Sequence, residues 1–176
     1  MQTEIIIAGF GGQGVMFAGQ LLSYGAMDEG REVTWIPSYG PEMRGGTANC
    51  TVIISDEEIG SPLVLNPAIA LVMNLPSLDK YEPLVKPGGL LVVNSSLVNR
   101  SCRRDDIKSV SIPASEVAEN MGDKRLINMV MLGGMLRYHP VLQLETIDKV
   151  LSQHLIEHDS PLFALNIKAL NEGAKF

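Results

Sequence analysis

Apolar positions along the chain fall into two rhythms, and the rhythm changes near residue 114. Before it, short strand-like runs are separated by turn residues, the first and fourth apolar enough for strands buried on both faces. "TEIIIAGF" (3–10) is the first, "EVTWI" (32–36) the second and "TANCTVIIS" (47–55) the third, the last ending at the turn-like "SDEEIGSP". "AIALVMN" (68–74) and "LLVVN" (90–94) are the fourth and fifth, with a short helix "LPSLDKYEPLV" and a tight "KPGG" turn between them. "SVSI" (109–112) is a sixth, after the charged "NRSCRRDD". Between the first two strands, Val15, Ala18, Leu22 and Ala26 recur at helical spacing, and Gly30 marks the stop. Beyond residue 114 the spacing is helical. "NMVMLGGMLRY" has two glycines, Gly133 and Gly134, that permit close packing. "LQLETIDKVLSQHL" puts Leu144, Ile147, Val150 and Leu151 on one stripe, and "PLFALNIKALNEGAKF" carries Leu162, Leu165, Ile167 and Leu170.

Strands and helices in this order predict an α/β fold: a Rossmann-like, mostly parallel sheet flanked by helices. The 176 residues, without repeats or a long linker, predict one domain spanning 1–176. Composition is globular, 45% hydrophobic and 19% charged. No apolar run reaches the ~20 residues of a membrane span. The start, "MQTEIIIAGFGG", lacks the basic flank of a signal peptide, so a cytoplasmic protein without membrane attachment is expected. On that expectation the Asn-x-Ser/Thr triplets at Asn49, Asn94 and Asn99 carry no glycan. The net charge of −6 argues against a nucleic-acid partner. Arg100, Arg103 and Arg104 form a local basic cluster beside Asp105 and Asp106, read either as a solvated loop or as a contact for a phosphate or an acidic partner.

"AGFGGQGV" brings in chemistry. Gly9, Gly11 and Gly14 fit G-x-G-x-x-G, directly after a strand and opening a helix, where free N–H groups and the helix dipole favour an anion. The ribose-binding acid of a dinucleotide site belongs at the end of the second strand, which here reads "WIPSY", so NAD is not expected. Two uses stay open for Gly9, Gly11, Gly12, Gln13 and Gly14: a site for another anion such as the phosphates of coenzyme A, or a purely structural turn. "HLIEH" (154–158) matches the inverted zinc-peptidase motif, but zinc needs a third protein ligand, and beyond the adjacent Asp159 only Glu172 remains among the acids downstream. No metal site is expected. Cys50 and Cys102 form no metal spacing, and Cys50 reads as a buried thiol. Met129, Met131 and Met135 read as core filling.

The most specific stretch is "PSYGPEMRGGT" (37–47). Pro37 and Pro41 stiffen it, Gly45 and Gly46 admit a close neighbour, Arg44 offers a fork for carboxylate or phosphate, and Glu42 can orient it. Tyr39 supplies an amphipathic ring of the kind common at interfaces. Glu42 and Arg44 can equally pair to hold their own loop.

"GFGGQGV", then "PSYGPEMRGGTANCTVIIS", then "KPGGLLVVNSSLV" resemble, in order and spacing, the gamma subunit of the 2-oxoacid:ferredoxin (or acceptor) oxidoreductases over nearly the whole chain. The resemblance implies a non-catalytic subunit of a complex that oxidatively decarboxylates a 2-oxoacid to an acyl-CoA, with 2-oxoglutarate preferred and pyruvate or a branched-chain acid as alternatives. It implies thiamine diphosphate, magnesium and iron–sulfur clusters on other chains. The partners are alpha and beta subunits, a delta or ferredoxin-like subunit in some forms, and ferredoxin or another acceptor through the complex. No catalytic residue is expected here, and the isolated chain is expected to be inactive and prone to self-association as a homodimer. Tyr39, Glu42, Arg44, Gly45 and Gly46 are expected at the alpha interface, with the glycine turn beside a coenzyme A channel. A free-standing phosphate- or coenzyme A-binding module is the alternative.

Overall fold

The computed structural model describes residues 1–39, 46–155 and 160–176, without the side chains of Tyr39, Leu144, His154 and Leu155. Six strands form one sheet: β1 (Gln2–Phe10), β2 (Glu32–Tyr39), β3 (Thr47–Ser55), β4 (Ile69–Val72), β5 (Leu90–Asn94) and β6 (Lys108–Ile112). Their order is β2-β3-β1-β4-β5-β6. The β1–β4, β4–β5 and β5–β6 pairs are parallel, and β3 runs antiparallel to both β1 and β2. Five strands therefore point one way and β3 alone is reversed, so the mostly parallel sheet is a mixed one. The reversal follows from chain length. Only residues 40–46 separate β2 from β3, and a parallel return needs a dozen or more.

The strand expectations differ from the structure at two places. β2 continues through Pro37, Ser38 and Tyr39, which stand opposite Cys50, Asn49 and Ala48. The first part of the 37–47 stretch is thus strand rather than loop. β2 is the edge strand of the sheet, where a proline is tolerated. β4 keeps only Ile69–Val72 of the expected 68–74.

Helices cover both faces unequally. α1 (Val15–Asp28) and the C-terminal group α3 (Ala114–Asn120), α4 (Ile127–Tyr138), α5 (Leu144–Val150) and α6 (Pro161–Gly173) lie on one face, over Ile5, Ile7, Cys50, Val52, Leu71, Val92 and Ile112. A π-helical turn, Leu151–Leu155, extends α5. On the other face α2 (Leu75–Tyr81), with Val85, Val98 and Ile107, covers Ile6, Ala8, Ala70, Val72, Leu91 and Val93. Residues 95–107 carry the chain from β5 to β6 without a helix.

Gly133 and Gly173 bring α4 and α6 together backbone to backbone. A Cβ on Gly133 would collide with the Leu170 carbonyl, and one on Gly173 with the Val130 carbonyl. Neither obstacle is a side chain that can turn away. Gly133→Ala is expected to cost about 2–4 kcal/mol in urea-unfolding free energy. An unchanged midpoint would contradict this packing.

Candidate functional site

α1 leaves β1 on one face of the sheet, and α2 leaves the neighbouring parallel strand β4 on the other. The carboxyl ends of β1 and β4 thus flank a topological switch point, where open α/β sheets form a crevice. The sequence places the glycine turn there.

The turn is braced from three sides. The Phe10 N–H donates to Gln13 Oε1 at 2.6 Å, and Gln13 Nε2 reaches the Met73 carbonyl of β4's end at 3.5 Å. The Gly11 N–H donates to the Gly46 carbonyl at 3.0 Å, which ties the end of the 37–47 stretch to the turn. Asn128 Nδ2, at the start of α4, donates to the Gly14 carbonyl at 3.2 Å. The glycines fit these neighbours. Gly12 and Gly14 have φ of 93° and 75°, in the left-handed region. A Cβ on Gly14 would stand 2.5 Å from Asn128 Nδ2, and one on Gly9 would stand 2.6 Å from Gln13 Oε1. Gln13 is therefore a brace inside the turn, and Phe10, Gly11 and Gln13 spend their N–H groups on the protein's own oxygens.

Beside the turn lies a cleft of about 550 Å³. Phe10, Met16, Phe17, Leu126 and Leu162 give it apolar walls, and Arg125, Asn128 and Asn166 supply polar groups. The first turns of α1, α4 and α6 all open onto it, and none of the three contains an acidic residue. Gly14 caps α1 without a side chain. Three positive helix ends around one apolar cleft make an environment suited to a ligand with an anionic part. Arg125 stands at this cleft, with its guanidinium on Asp123 at 2.6 Å.

Of the residues singled out from sequence, the fold brings together Gly9, Gly11, Gly12, Gln13, Gly14 and Gly46. The backbone of Tyr39 closes β2 opposite Ala48, which lines the cleft. Glu42, Arg44 and Gly45 lie outside the described residues, as do Glu157 and His158 of "HLIEH". Asn74, Arg125, Asn128 and Asn166 were not singled out, and Asn94 only as part of an Asn-x-Ser triplet. A signal existed for two of them: "LVMN" and "LVVN" each end an apolar strand in asparagine.

Two arginines of the cluster, Arg100 and Arg104, are spent inside the molecule, while Arg103 is exposed. Arg100 pairs with Glu82 at 2.7 Å and Asp79 at 2.6 Å, and Arg104 donates to the Glu82, Pro83 and Val85 carbonyls as well as to Asp106. Glu82 is 4% exposed. Burial alone raises its carboxyl pKa, but hydrogen bonds from Arg100 and the Arg103 N–H outweigh burial and hold it below the usual carboxylate range. The cluster fastens the 95–107 crossover to the end of α2. Cys50 is fully buried, and desolvation pushes its thiol up to about 12 despite a hydrogen bond with Trp35. Among the described residues, no group of three or more His, Cys, Asp or Glu side chains is arranged to hold a metal, and no helix is long and apolar enough to cross a membrane.

These features define a Rossmann-like α/β protein with a braced glycine turn and an electropositive, apolar-walled cleft at its switch point. Over residues 4–176 the sequence matches the pyruvate ferredoxin/flavodoxin oxidoreductase family, and the chain belongs to that family. It is 41% identical over 135 residues to the ketoisovalerate oxidoreductase subunit VorA of Methanothermobacter marburgensis, covering 77% of this chain and 28% of that one. Together with the VorA of Methanothermobacter thermautotrophicus, of which the match covers 36%, this means the chain spans about a third of the length of these relatives. It is 35% identical to the 2-oxoglutarate synthase subunit KorC of Methanocaldococcus jannaschii, covering 86% of this chain and 82% of that one. The crystal structure of the keto/oxoacid ferredoxin oxidoreductase gamma subunit of Geobacter sulfurreducens superposes with a TM-score of 0.82 at 29% identity, covering 98% and 96% of the two chains. The resemblance to gamma subunits read from the residues is borne out.

Glu82→Gln should lower unfolding free energy at pH 7 by about 1–3 kcal/mol. The folded-state pKa is depressed, so the contribution is complete above the unfolded value of ~4.3 and is lost as pH falls through the lower folded value. The gap between variant and wild type should therefore close below about pH 4. A gap that persists there would contradict the charge-based account.

Proposed function

We propose that the chain serves as the non-catalytic gamma subunit of a 2-oxoacid:ferredoxin or acceptor oxidoreductase, as one domain spanning 1–176. It packs its glycine-turn end against the alpha chain that holds thiamine diphosphate, and its cleft borders the path by which coenzyme A reaches that centre. The observation that carries this is the meeting of the first turns of α1, α4 and α6, none with an acidic residue of its own, around an apolar cleft beside the braced turn. Such a site suits a ligand with a long apolar arm and phosphates better than it suits a dinucleotide, for which β2 ends without an acid. On this reading thiamine-bound magnesium and the iron–sulfur clusters belong to partner chains, and the isolated subunit is expected to be inactive.

2-Oxoglutarate is the proposed substrate of the complex. The relatives named 2-oxoglutarate synthase subunits include chains that this one spans for 75–82% of their length, whereas the ketoisovalerate relatives are much longer. A branched-chain 2-oxoacid is the competing substrate, on the 41% identity to a ketoisovalerate subunit. From its sequence chemistry, Arg44 is assigned with Tyr39, Glu42, Gly45 and Gly46 to the alpha contact.

Two variants test the working face in the assembled enzyme. Met16→Glu puts a carboxylate into α1's first turn inside the cleft, and Arg44→Ala removes the cation from the 37–47 stretch. Each is expected to raise the apparent KM for coenzyme A or reduce holoenzyme yield by roughly five-fold or more, equivalent to ~1 kcal/mol. Unchanged yield and KM in both variants would contradict the assignment of this end.

A further inference from the structure

Buried donors without an acceptor are rare in folded proteins, because water is given up with nothing in return. Among the described residues, Thr34 Oγ1, Trp35 Nε1 and Asn74 Nδ2 are buried without a standard partner. Trp35 lies against the Cys50 sulfur, a soft acceptor. Thr34 belongs to the edge strand β2 and its residue is partly exposed. Asn74 is different: it is 1% exposed and follows Met73, whose carbonyl Gln13 of the glycine turn reaches, just past the carboxyl end of β4.

The other half of the Asn74 amide is committed. Its Oδ1 accepts the Ser77 N–H at 2.9 Å and caps α2. Turning the amide over would set Nδ2 against that N–H, donor to donor, so the group is locked with Nδ2 unspent. Asn94, the last residue of β5 and level with Met73, shows what a purely structural asparagine does. Its Nδ2 donates to the Met73 carbonyl at 3.4 Å and Ser115 Oγ at 3.0 Å, and its Oδ1 accepts the Ser96 N–H at 3.3 Å.

We propose that Asn74 Nδ2 is a recognition donor. It takes an acceptor oxygen, from a carboxylate, a phosphoryl group or a peptide carbonyl, that arrives at the end of β4 when a small anion or a partner chain seats on the glycine-turn end. The proposal rests on the reading of that end as the working face. A donor left unsatisfied before binding and satisfied on binding favours the bound state by the difference, at the expense of the free chain's stability.

Asn74→Ser keeps a good N-cap acceptor and removes the amide, whereas Asn74→Ala removes both. Three quantities are measured for each: the Tm of the isolated chain, its affinity for purified partner subunits by interferometry, and its affinity for inorganic pyrophosphate by calorimetry. Asn74→Ala should lower Tm by roughly 2–4 °C, and Asn74→Ser, which keeps the cap and removes the unsatisfied donor, should leave it at or above the wild-type value. With Tm not lowered, Asn74→Ser should weaken one of the two affinities by about ten-fold. Loss toward the partner assigns the oxygen to a protein carbonyl or carboxylate, and loss toward pyrophosphate assigns it to a small anion. A Tm that falls in Asn74→Ser as far as in Asn74→Ala means the donor was already satisfied within the chain and overturns the proposal. So do two unchanged affinities. A wild-type chain that binds no oxidoreductase subunit overturns the subunit reading alone, and a ten-fold loss toward pyrophosphate would then still uphold the donor. A wild-type chain that binds neither overturns both.

Discussion

The passage from β1 into α1 has almost no spare room, and the carboxyl end of the sheet is built around that constraint. Gly9 must clear Gln13 and Met73, Gly14 must clear Asn128, and the backbone between them adopts left-handed angles at Gly12 and Gly14. Because the turn is this tight, three separate parts of the chain reach it with hydrogen bonds: β4's end through Gln13, residue Gly46 through Gly11, and α4 through Asn128. The turn fixes where α1 starts, and with α4 and α6 that start frames the cleft. A side chain added at Gly14 would displace α4's first turn and the cleft wall together.

Much of this was legible in the sequence. Apolar runs marked β1, β3, β4 and β5, β3 and β5 to the residue, while shorter alternating stretches marked the half-exposed β2 and β6. The glycine turn was legible because a strand, a G-x-G-x-x-G spacing and a helix occur together. The reversed direction of β3 was missed although its cause, a connection too short for a crossover, is present in the spacing of the runs. The extension of β2 across Pro37 was hidden because proline reads as a breaker, and only the strand's place at the sheet edge excuses it. Asn128 and Asn166 gave no signal: their meaning comes from where α4 and α6 begin relative to a turn more than a hundred residues earlier. The role of Gln13 as a brace was likewise invisible, since spacing alone cannot tell a side chain folded into the turn from one offered to a ligand.

Charge is used differently at the two ends of the reading. The arginines at 100 and 104 looked available for a partner, but buried Glu82 and a set of carbonyls consume them, so their work is to hold a helix-free crossover in place. The cleft, by contrast, gets its positive character from helix ends, which need no side-chain desolvation to act on a ligand. This division suits a chain belonging to a family of oxidoreductase subunits and carrying a shaped surface. The long ketoisovalerate relatives, of which this chain spans about a third, contain a comparable unit within a larger polypeptide.

The central claim is that this chain works inside a 2-oxoacid oxidoreductase. The most direct measurement is an anaerobic purification of the tagged chain from its native host, with mass spectrometry of the recovered chains, thiamine and iron analysis, and a dye-reduction assay with each 2-oxoacid in turn. The account predicts recovery with larger chains that carry thiamine diphosphate and iron, coenzyme A-dependent dye reduction, and 2-oxoglutarate as the best substrate. A chain recovered alone, without thiamine, iron or activity on any 2-oxoacid, would contradict it.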